Sequence, residues 1–422
     1  MQSPTLLNID LGSEGGGELL VAIEARHGPA FAQLAHLPRR LFALRSAWAP
    51  GLRFIGGEAQ APNVGSGSAP AQVFNLAGAG LSLEDALSSC LGEGVERISQ
   101  IECPGDIAAR LPIAGADDRL TAASRRLIET LAIAPATVAD WVDAADLASG
   151  QEILVPADWC LRRSTAGPLT LPDTPLSTGA AAGPTPEAAA ARALLELIER
   201  DAAALWWIGG QRGRPFAIED PAMTAAAELL AQLRQGETER LSWYLDLTTD
   251  LGIPCIAALS VSPAGDQLAC GLAARLSATE AVRAATFEMC QMELGLQLVE
   301  LKRKQRGDAA LNDVDRRHLA RATNINAETC ILLQPCGMPR RATAPAPAAD
   351  EAALAILQDA LTAASIEAAL VEFTRPAYAI PVMVAIAPDL QRLPCGVRVP
   401  RLTDTIDRTG GGAPSTGGAP LL

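Results

Sequence analysis

The stretch Gly179-Ala180-Ala181-Ala182-Gly183-Pro184-Thr185-Pro186, continuing to Leu194-Leu195-Glu196-Leu197-Ile198-Glu199-Arg200-Asp201, decides how this chain is read. A glycine-bearing turn comes first. Thr185 then suits a helix N-cap, and Pro186 suits the first helical position, where no N–H is required. The helix that follows carries two glutamates three positions apart, set among Leu194, Leu195, Leu197 and Ile198. Residues at that spacing share one helix face, with Cβ atoms about 5–6 Å apart. Carboxylates in so apolar a setting are unfavourable unless they are paired or bound to a cation.

Working outward, the pattern occurs three times. Gly78-Ala79-Gly80 precedes Ser82, which with Asp85 matches a capping box; Glu93, Glu96 and Arg97 follow. Gly271 precedes Ser277, which matches a second capping box with Glu280; Glu288 and Gln291 follow. From cap to first glutamate the count is eleven in each unit: Ser82 to Glu93, Thr185 to Glu196, Ser277 to Glu288. One such helix reads as a solvated face with its glutamates paired to Arg97 or Arg200. Three with one spacing read as a site. If they converge, five carboxylates and one amide form an oxygen-rich centre suited to Mg²⁺, which favours carboxylate, water and phosphate oxygen. Arg97 and Arg200 would then face phosphate with planar guanidinium forks.

Composition narrows the alternatives. The 422 residues are 49% hydrophobic, enough for a large core, and the formal net charge is -14. No long basic run exists, which excludes a general nucleic-acid binder; Lys302-Arg303-Lys304 reads as a solvated helix end. No uninterrupted apolar stretch is long enough for a bilayer, so no membrane role is expected. The nine cysteines are scattered without a C-x-x-C pair, and the three histidines lie far apart, which argues against zinc and for a reduced, cytoplasmic protein. There is no G-x-x-x-x-G-K-[ST], and Gly78-Ala79-Gly80 alone is too short to claim a phosphate loop. No Ser-His-Asp or Cys-His arrangement stands out. A nucleotide enzyme built this way would use carboxylates and magnesium.

The order of segments is expected as follows. Residues 1–60 form a short N-terminal segment, with a strand at Leu19–Ile23, that completes or precedes the main domain. Residues 61–72 and 340–349 are linkers. Residues 61–402 form the main domain, with a helix at Glu351–Ala364 and strands at Ala368–Phe373 and Pro381–Ala387. Residues 403–422 form a flexible Gly/Pro-rich tail. Pattern alone gives an α+β fold with helices following glycine turns.

These residues resemble the YcaO-domain family. The likeness rests on Gly78-Ala79-Gly80 with Glu93, Glu96 and Arg97, on Ser177 through Asp201, on Asp246 to Pro254, on Glu288 with Gln291, and on Phe373-Thr374-Arg375-Pro376 with Ile380-Pro381-Val382. The resemblance covers about Leu44 to Leu402. It implies a YcaO-type fold: mixed and antiparallel sheets packed with helices, and pseudo-repeated glycine turn–helix units around an ATP/Mg site. It implies that the enzyme is an ATP-dependent cyclodehydratase with ATP and Mg²⁺ as cofactors. It would phosphorylate a peptide amide and convert Cys, Ser or Thr to thiazoline or oxazoline in a ribosomally made, bacteriocin-like (RiPP) precursor peptide. In that reading Glu93, Glu96, Glu196, Glu199 and Glu288 hold magnesium. Arg97, Arg200, Gln291 and Ser177 contact nucleotide or phosphate, and Glu199 and Arg200 act in catalysis.

The implied partners are the precursor peptide, a ThiF-like or winged-helix leader-binding protein, a flavin-dependent azoline dehydrogenase, and a second copy of the chain in a homodimer. The N-terminal region is too small for both a peptide-binding winged helix and a ThiF-like domain, so leader recognition is expected to come from a separate protein. Other members of the family form thioamides or assist thiolation of a ribosomal protein, and a non-catalytic scaffold is a further alternative. Two departures are visible: Pro184 stands where members often have Asn, and the C-terminal residues lack a Pro-x-Pro-x-Pro run.

Overall fold

The computed structural model describes residues 5–60, 73–339 and 349–421. The linker expected at 61–72, and all but the last residue of that at 340–349, lie outside the described residues.

The first sheet joins β1 (Thr5–Ile9), β2 (Pro38–Arg45), β3 (Arg53–Gln60) and β4 (Val73–Gly80) in sequence order, all antiparallel. Between its first two strands lie α1 (Glu14–His27) and α2 (Pro29–Gln33). The strand expected at Leu19–Ile23 is therefore helix. Ser13 caps α1 by accepting from Gly16 N–H, Glu14 opens the first turn, and Arg26 and His27 close the last. These end charges complement the helix dipole and outweigh the β-leaning apolar run. After β4 comes α3 (Leu83–Ser99).

The second sheet draws from distant segments. β5 (Ala109–Pro112), α4 (Ile113–Ala116), α5 (Ala122–Thr130), β6 (Val138–Asp146), β7 (Glu152–Pro156) and β8 (Ala180–Ala182) precede α6 (Pro186–Trp207). Later come α10 (Asp350–Ala363), β12 (Ala369–Glu372) and β13 (Val382–Ile386), close to the helix and strands expected there. The strands run β5-β6-β12-β13-β8, with β7 also on β6.

The third sheet is local. α7 (Pro221–Arg234) leads to β9 (Leu241–Asp246), β10 (Cys255–Val261) and β11 (Ala269–Ala274), ordered β11-β10-β9. α8 (Ala278–Arg306) and α9 (Asp313–Asn324) follow. β10 is buried along its whole length because both its faces are covered. Cys255, Ala257, Leu259 and Val261 join one core with α6, while Ile256 and Ala258 join another with α7 and α8. That alternation is the period of two expected of a strand.

The segment expected as a mobile tail is docked. α11 (Pro400–Thr409) ends at Gly410 in the left-handed conformation, and the short α12 (Ala413–Thr416) follows. Trp207 Nε1 donates to Ala419 O at 2.7 Å, Gly412 N–H donates to Ile208 O at 2.8 Å, and Leu421 is buried. Glycines there turn the chain sharply onto the end of α6 rather than loosening it. All nine cysteines are free. Among the described residues no helix is long and apolar enough to cross a membrane.

Close strand–helix approach explains the glycines before each cap. A Cβ on Gly271 would lie 2.1 Å from Ala285 O and 2.2 Å from Met289 N; one on Gly78 would lie 2.1 Å from Ala86 O. Gly271→Ala should therefore lower stability by about 1–3 kcal/mol, as overpacking does. Gly295→Ala, on the same helix with open space around it, should raise stability by roughly 0.5–1 kcal/mol. Denaturant unfolding of the two variants checks both signs.

Candidate active site

The three repeated units are β4–α3, β8–α6 and β11–α8. Among the described residues each strand is an edge: β4 pairs only with β3, β8 only with β13, β11 only with β10. Edge strands expose N–H groups that need partners when covered. The glutamates supply them. The first glutamate of each helix accepts from its own unit: Glu93 Oε2 from Ala77 N–H (2.7 Å), Glu196 Oε2 from Gly179 N–H (3.1 Å), Glu288 Oε2 from Leu272 N–H (2.6 Å).

The second glutamate reaches the next unit. Glu96 Oε1 accepts from Ala182 N–H at 2.8 Å, and Glu199 Oε2 from Ala274 N–H at 3.3 Å. Ala182 and Ala274 hold the same place, three residues before their caps. The first unit's counterpart is Ala79. It packs against the core that contains Ala281 and Val282 of α8, so the third helix abuts the first unit. Gln291 stands where a third linking glutamate would be, and its side chain makes no hydrogen bond with a described residue.

The caps differ in detail. Ser82 and Thr185 accept from Asp85 and Ala188 N–H at 3.0 Å each. Ser277 is the N-cap of α8, but its side chain makes no capping bond, so the box expected with Glu280 is not formed. Extended backbone at Ser277 alone, with its C=O accepting from Ala281 N–H, starts that helix.

Each bonded glutamate has one oxygen tied to backbone and a second oxygen free of it. Glu96 and Glu288 keep some exposed surface although they sit deep in the protein. Burial, together with Glu196 and Glu93 and against the Ala182 N–H, pushes the Glu96 carboxyl up to about 8. Burial, opposed by Arg200 and reinforced by Glu288 and Glu196, pushes Glu199 up to about 8. Glu288 is raised by burial, with Arg200 opposing and Glu196 adding to the rise. These shared influences place all five carboxylates in one cluster.

The arginines lie against it. Arg97 Nε donates to Glu93 Oε1 at 3.0 Å. Arg200 donates to Glu196 Oε1 at 3.3 Å and lies 3.7 Å from Glu199, while its buried Nε has no partner. Arg192 and Arg275, which sequence reasoning passed over, also hold Glu96 and Glu199 down. Neither position is repeated in the other units, where Ser89 and Ala284 match Arg192 and Gly80 and Gly183 match Arg275, so the repeat gives no signal for them. Ser177 precedes Gly179 by two residues and its carbonyl accepts from Ala180 N–H.

The donor set fits Mg²⁺ with a polyphosphate. Among the described residues no three His, Cys, Asp or Glu side chains close on one point as a complete cage. Magnesium seldom uses such a cage; it takes one or two carboxylates with phosphate oxygens and water. Like charges this crowded are neutral or cation-bound, and the unpartnered Arg200 Nε offers a donor to an anion.

A pH dependence follows. Glu96 and Glu199 keep protons in the folded chain between about 4.5 and about 8 that the unfolded chain has shed. Their effect on stability is most favourable below that window and declines as pH rises through it. Without nucleotide, the melting temperature should fall from pH 6 to 8.5. Mg²⁺ with a non-hydrolysable ATP analogue should raise it more at pH 8.5 than at pH 6. Thermal shift at the two pH values checks this; equal shifts would count against cation binding at these carboxylates.

Comparison with known proteins agrees with this geometry. A family model described as YcaO cyclodehydratase, ATP- and Mg²⁺-binding, matches residues 77–391. A heterocyclase solved in complex with substrate and cofactor superposes with a TM-score of 0.66 at 21% identity, over 88% of this chain and 52% of its own. YcaO from Methanopyrus kandleri, bound with AMPPCP and Mg²⁺, gives 0.61 at 19% identity, over 89% and 91%. A chain of the E. coli microcin synthetase McbBCD complex gives 0.57 at 17%, over 82% and 89%. This chain thus spans about half the length of the first heterocyclase, and at these identities the likeness is one of fold. No curated protein matches the chain.

Proposed function

The chain belongs to the YcaO family of ATP- and Mg²⁺-binding cyclodehydratases, and from that membership we propose that it activates a backbone amide of a peptide by phosphorylation. The product is an azoline formed from Cys, Ser or Thr in a ribosomally made precursor peptide. The observation that carries this reading is the cluster of five glutamates, four bonded to edge-strand N–H groups and Glu196 to Gly179 N–H just before β8, at the meeting of three repeated units.

The residues divide the work. Glu93, Glu96, Glu196, Glu199 and Glu288 would together hold magnesium. Their backbone bonds fix the rotamers, so no reorganisation is needed when the cation arrives. Arg200, with a donor free, and Arg97 would turn toward phosphate oxygens, where transferring charge collects. Gln291 adds an uncharged polar group at the position matching Glu96 and Glu199, and Ser177 stands in the turn before β8. When bound, ATP supplies the γ-phosphoryl group that makes the amide oxygen a leaving phosphate, so ring closure by the neighbouring thiol or hydroxyl removes one water from the peptide. The chain's own nucleophiles are not needed; its task is positioning and charge stabilisation.

Peptide substrate and partners follow from the same reading. The E. coli microcin synthetase McbBCD complex has also been solved with pro-MccB17 bound. By analogy, a separate ThiF-like or winged-helix protein would present the leader, a flavin-dependent dehydrogenase would oxidise the azoline, and the chain would act as a homodimer in the cytoplasm.

The test is a mass measurement. With ATP, Mg²⁺, a partner protein and candidate precursor peptide, each modified residue should lose about 18 Da with one phosphate released. A gain of about 16 Da with a sulfur donor would identify thioamide formation instead. Glu199→Gln should lower phosphate release at least about 100-fold while leaving the circular dichroism spectrum unchanged. Wild-type turnover in that variant would sink the assignment.

A further inference from the structure

A cavity of about 200 Å³ lies beside the glutamate cluster, and the reaction as drawn does not use it. Its walls come from the segment Asp158–Leu176 and from Arg392, in the segment that follows β13. The cavity is built rather than left over. Trp159 Nε1 donates to Leu169 O at 2.8 Å, Leu169 N–H donates to Asp158 Oδ2 at 2.9 Å, and Gln100 Nε2 donates to Leu176 O at 2.6 Å. Gly167 lies so close to Asp158 that a Cβ there would stand 2.2 Å from its carboxylate.

Arg392 sets the chemistry. It is only 6% exposed, and its guanidinium makes no hydrogen bond or ion pair with a described residue. Its backbone is held firmly. Gln391 N–H donates to the buried Asp201 at 2.9 Å, and Gln391 Nε2 donates to Arg392 O at 2.9 Å and Val397 O at 3.0 Å. The other arginine in the wall, Arg163, is already paired with Glu102, Asp140 and Asp158. The cavity therefore presents one unused positive charge, threonine hydroxyls and an apolar floor of Trp159, Leu161 and Leu171.

A buried guanidinium without a partner is costly and is matched by a planar anion taken two-pronged. The volume holds roughly seven waters at ~30 Å³ each. That is room for one amino-acid side chain and too little for a nucleotide, whose sites run to about 300 Å³ and more. One free charge beside Asp158 suits a monoanionic carboxylate better than a phosphate dianion. The cavity also adjoins the reacting centre: Leu176 of its wall precedes Ser177, and Arg392 feels the charge of Glu196. Thr165, Ala166 and Thr170 at its rim are exposed, so a chain outside can reach in.

We propose that this cavity is a specificity subsite of the peptide substrate, where Arg392 takes the carboxylate of an acidic residue near the modified position; the proposal rests on the peptide-amide reading above. The subsite would favour precursors with Asp or Glu at a fixed distance from the residue that is cyclised.

The test uses the full chain with Mg²⁺ and AMPPCP, and two probes, acetyl-Gly-Glu-Gly-amide and its Gln counterpart, in ligand-observed NMR. The Glu probe should bind at least about tenfold more tightly than the Gln probe. Arg392→Gln should erase that preference. Thr165→Glu, at the exposed rim where folding is not at stake, should weaken the Glu probe by repulsion without changing AMPPCP affinity. Equal binding of the two probes, binding of neither, or an unchanged preference in both variants would overturn the subsite. So would inorganic phosphate binding in place of the Glu probe with the same dependence on Arg392, which marks an anion site of the nucleotide. AMPPCP affinity read on the same samples judges the amide-activation reading separately: its absence beside an intact Glu preference leaves the subsite standing and removes that reading.

Discussion

Three sheet edges meet at one place, and their unpaired N–H groups must be satisfied. The protein satisfies them with carboxylates carried on the helices that follow the strands. Glu93, Glu196 and Glu288 each bond back to their own unit, and Glu96 and Glu199 bond forward to the next. The forward bonds tie separate sheets together: Glu96 joins the first sheet's helix to β8, and Glu199 joins α6 to β11. The same contacts that close the fold gather five carboxylates in one cluster. Structure and chemistry therefore share one set of atoms.

That sharing has an energetic consequence. A buried carboxylate bonded to one backbone N–H still repels its neighbours, and Glu96 and Glu199 relieve the repulsion by holding protons up to about pH 8. Arg200 offsets part of the charge without satisfying all its own donors. The cluster is thus under-neutralised, which is the state a cation and an anion bound together would correct. Asp201, the last residue of the same helical motif, plays a different part. It is fully buried and accepts from Gln391 N–H and Arg401 Nε (2.9 and 2.8 Å), fixing the segment that carries Arg392.

Much of this was legible in the chain because helices report themselves through period and caps. The eleven-residue count from cap to glutamate marked the three helices with Glu93, Glu196 and Glu288, and the further step of three marked Glu96 and Glu199. What the count could not give is the acceptor's partner, since an edge strand is defined by sheets assembled from distant segments such as β13 and β8. Leu19–Ile23 misled because a β-leaning run was weighed without the capping of Ser13 and the charged ends around it. The glycines after Thr409 misled because glycine permits a tight docked turn as readily as disorder, and the partners, Trp207 and Ile208, lie some two hundred residues away. Arg392 carried no sequence signal, for its burial and lack of a partner arise only when the segment after β13 folds against Asp158–Leu176.

The central claim is that carboxylates from different repeated units hold one magnesium–nucleotide assembly. Crystals grown with Mn²⁺ and AMPPCP test it most directly through the anomalous signal of manganese. The account predicts manganese within ligand distance of Glu199 and of at least one of Glu96 and Glu288, with phosphate oxygens completing the shell. Manganese and nucleotide seated elsewhere, with all five glutamates keeping only their backbone bonds, would contradict it.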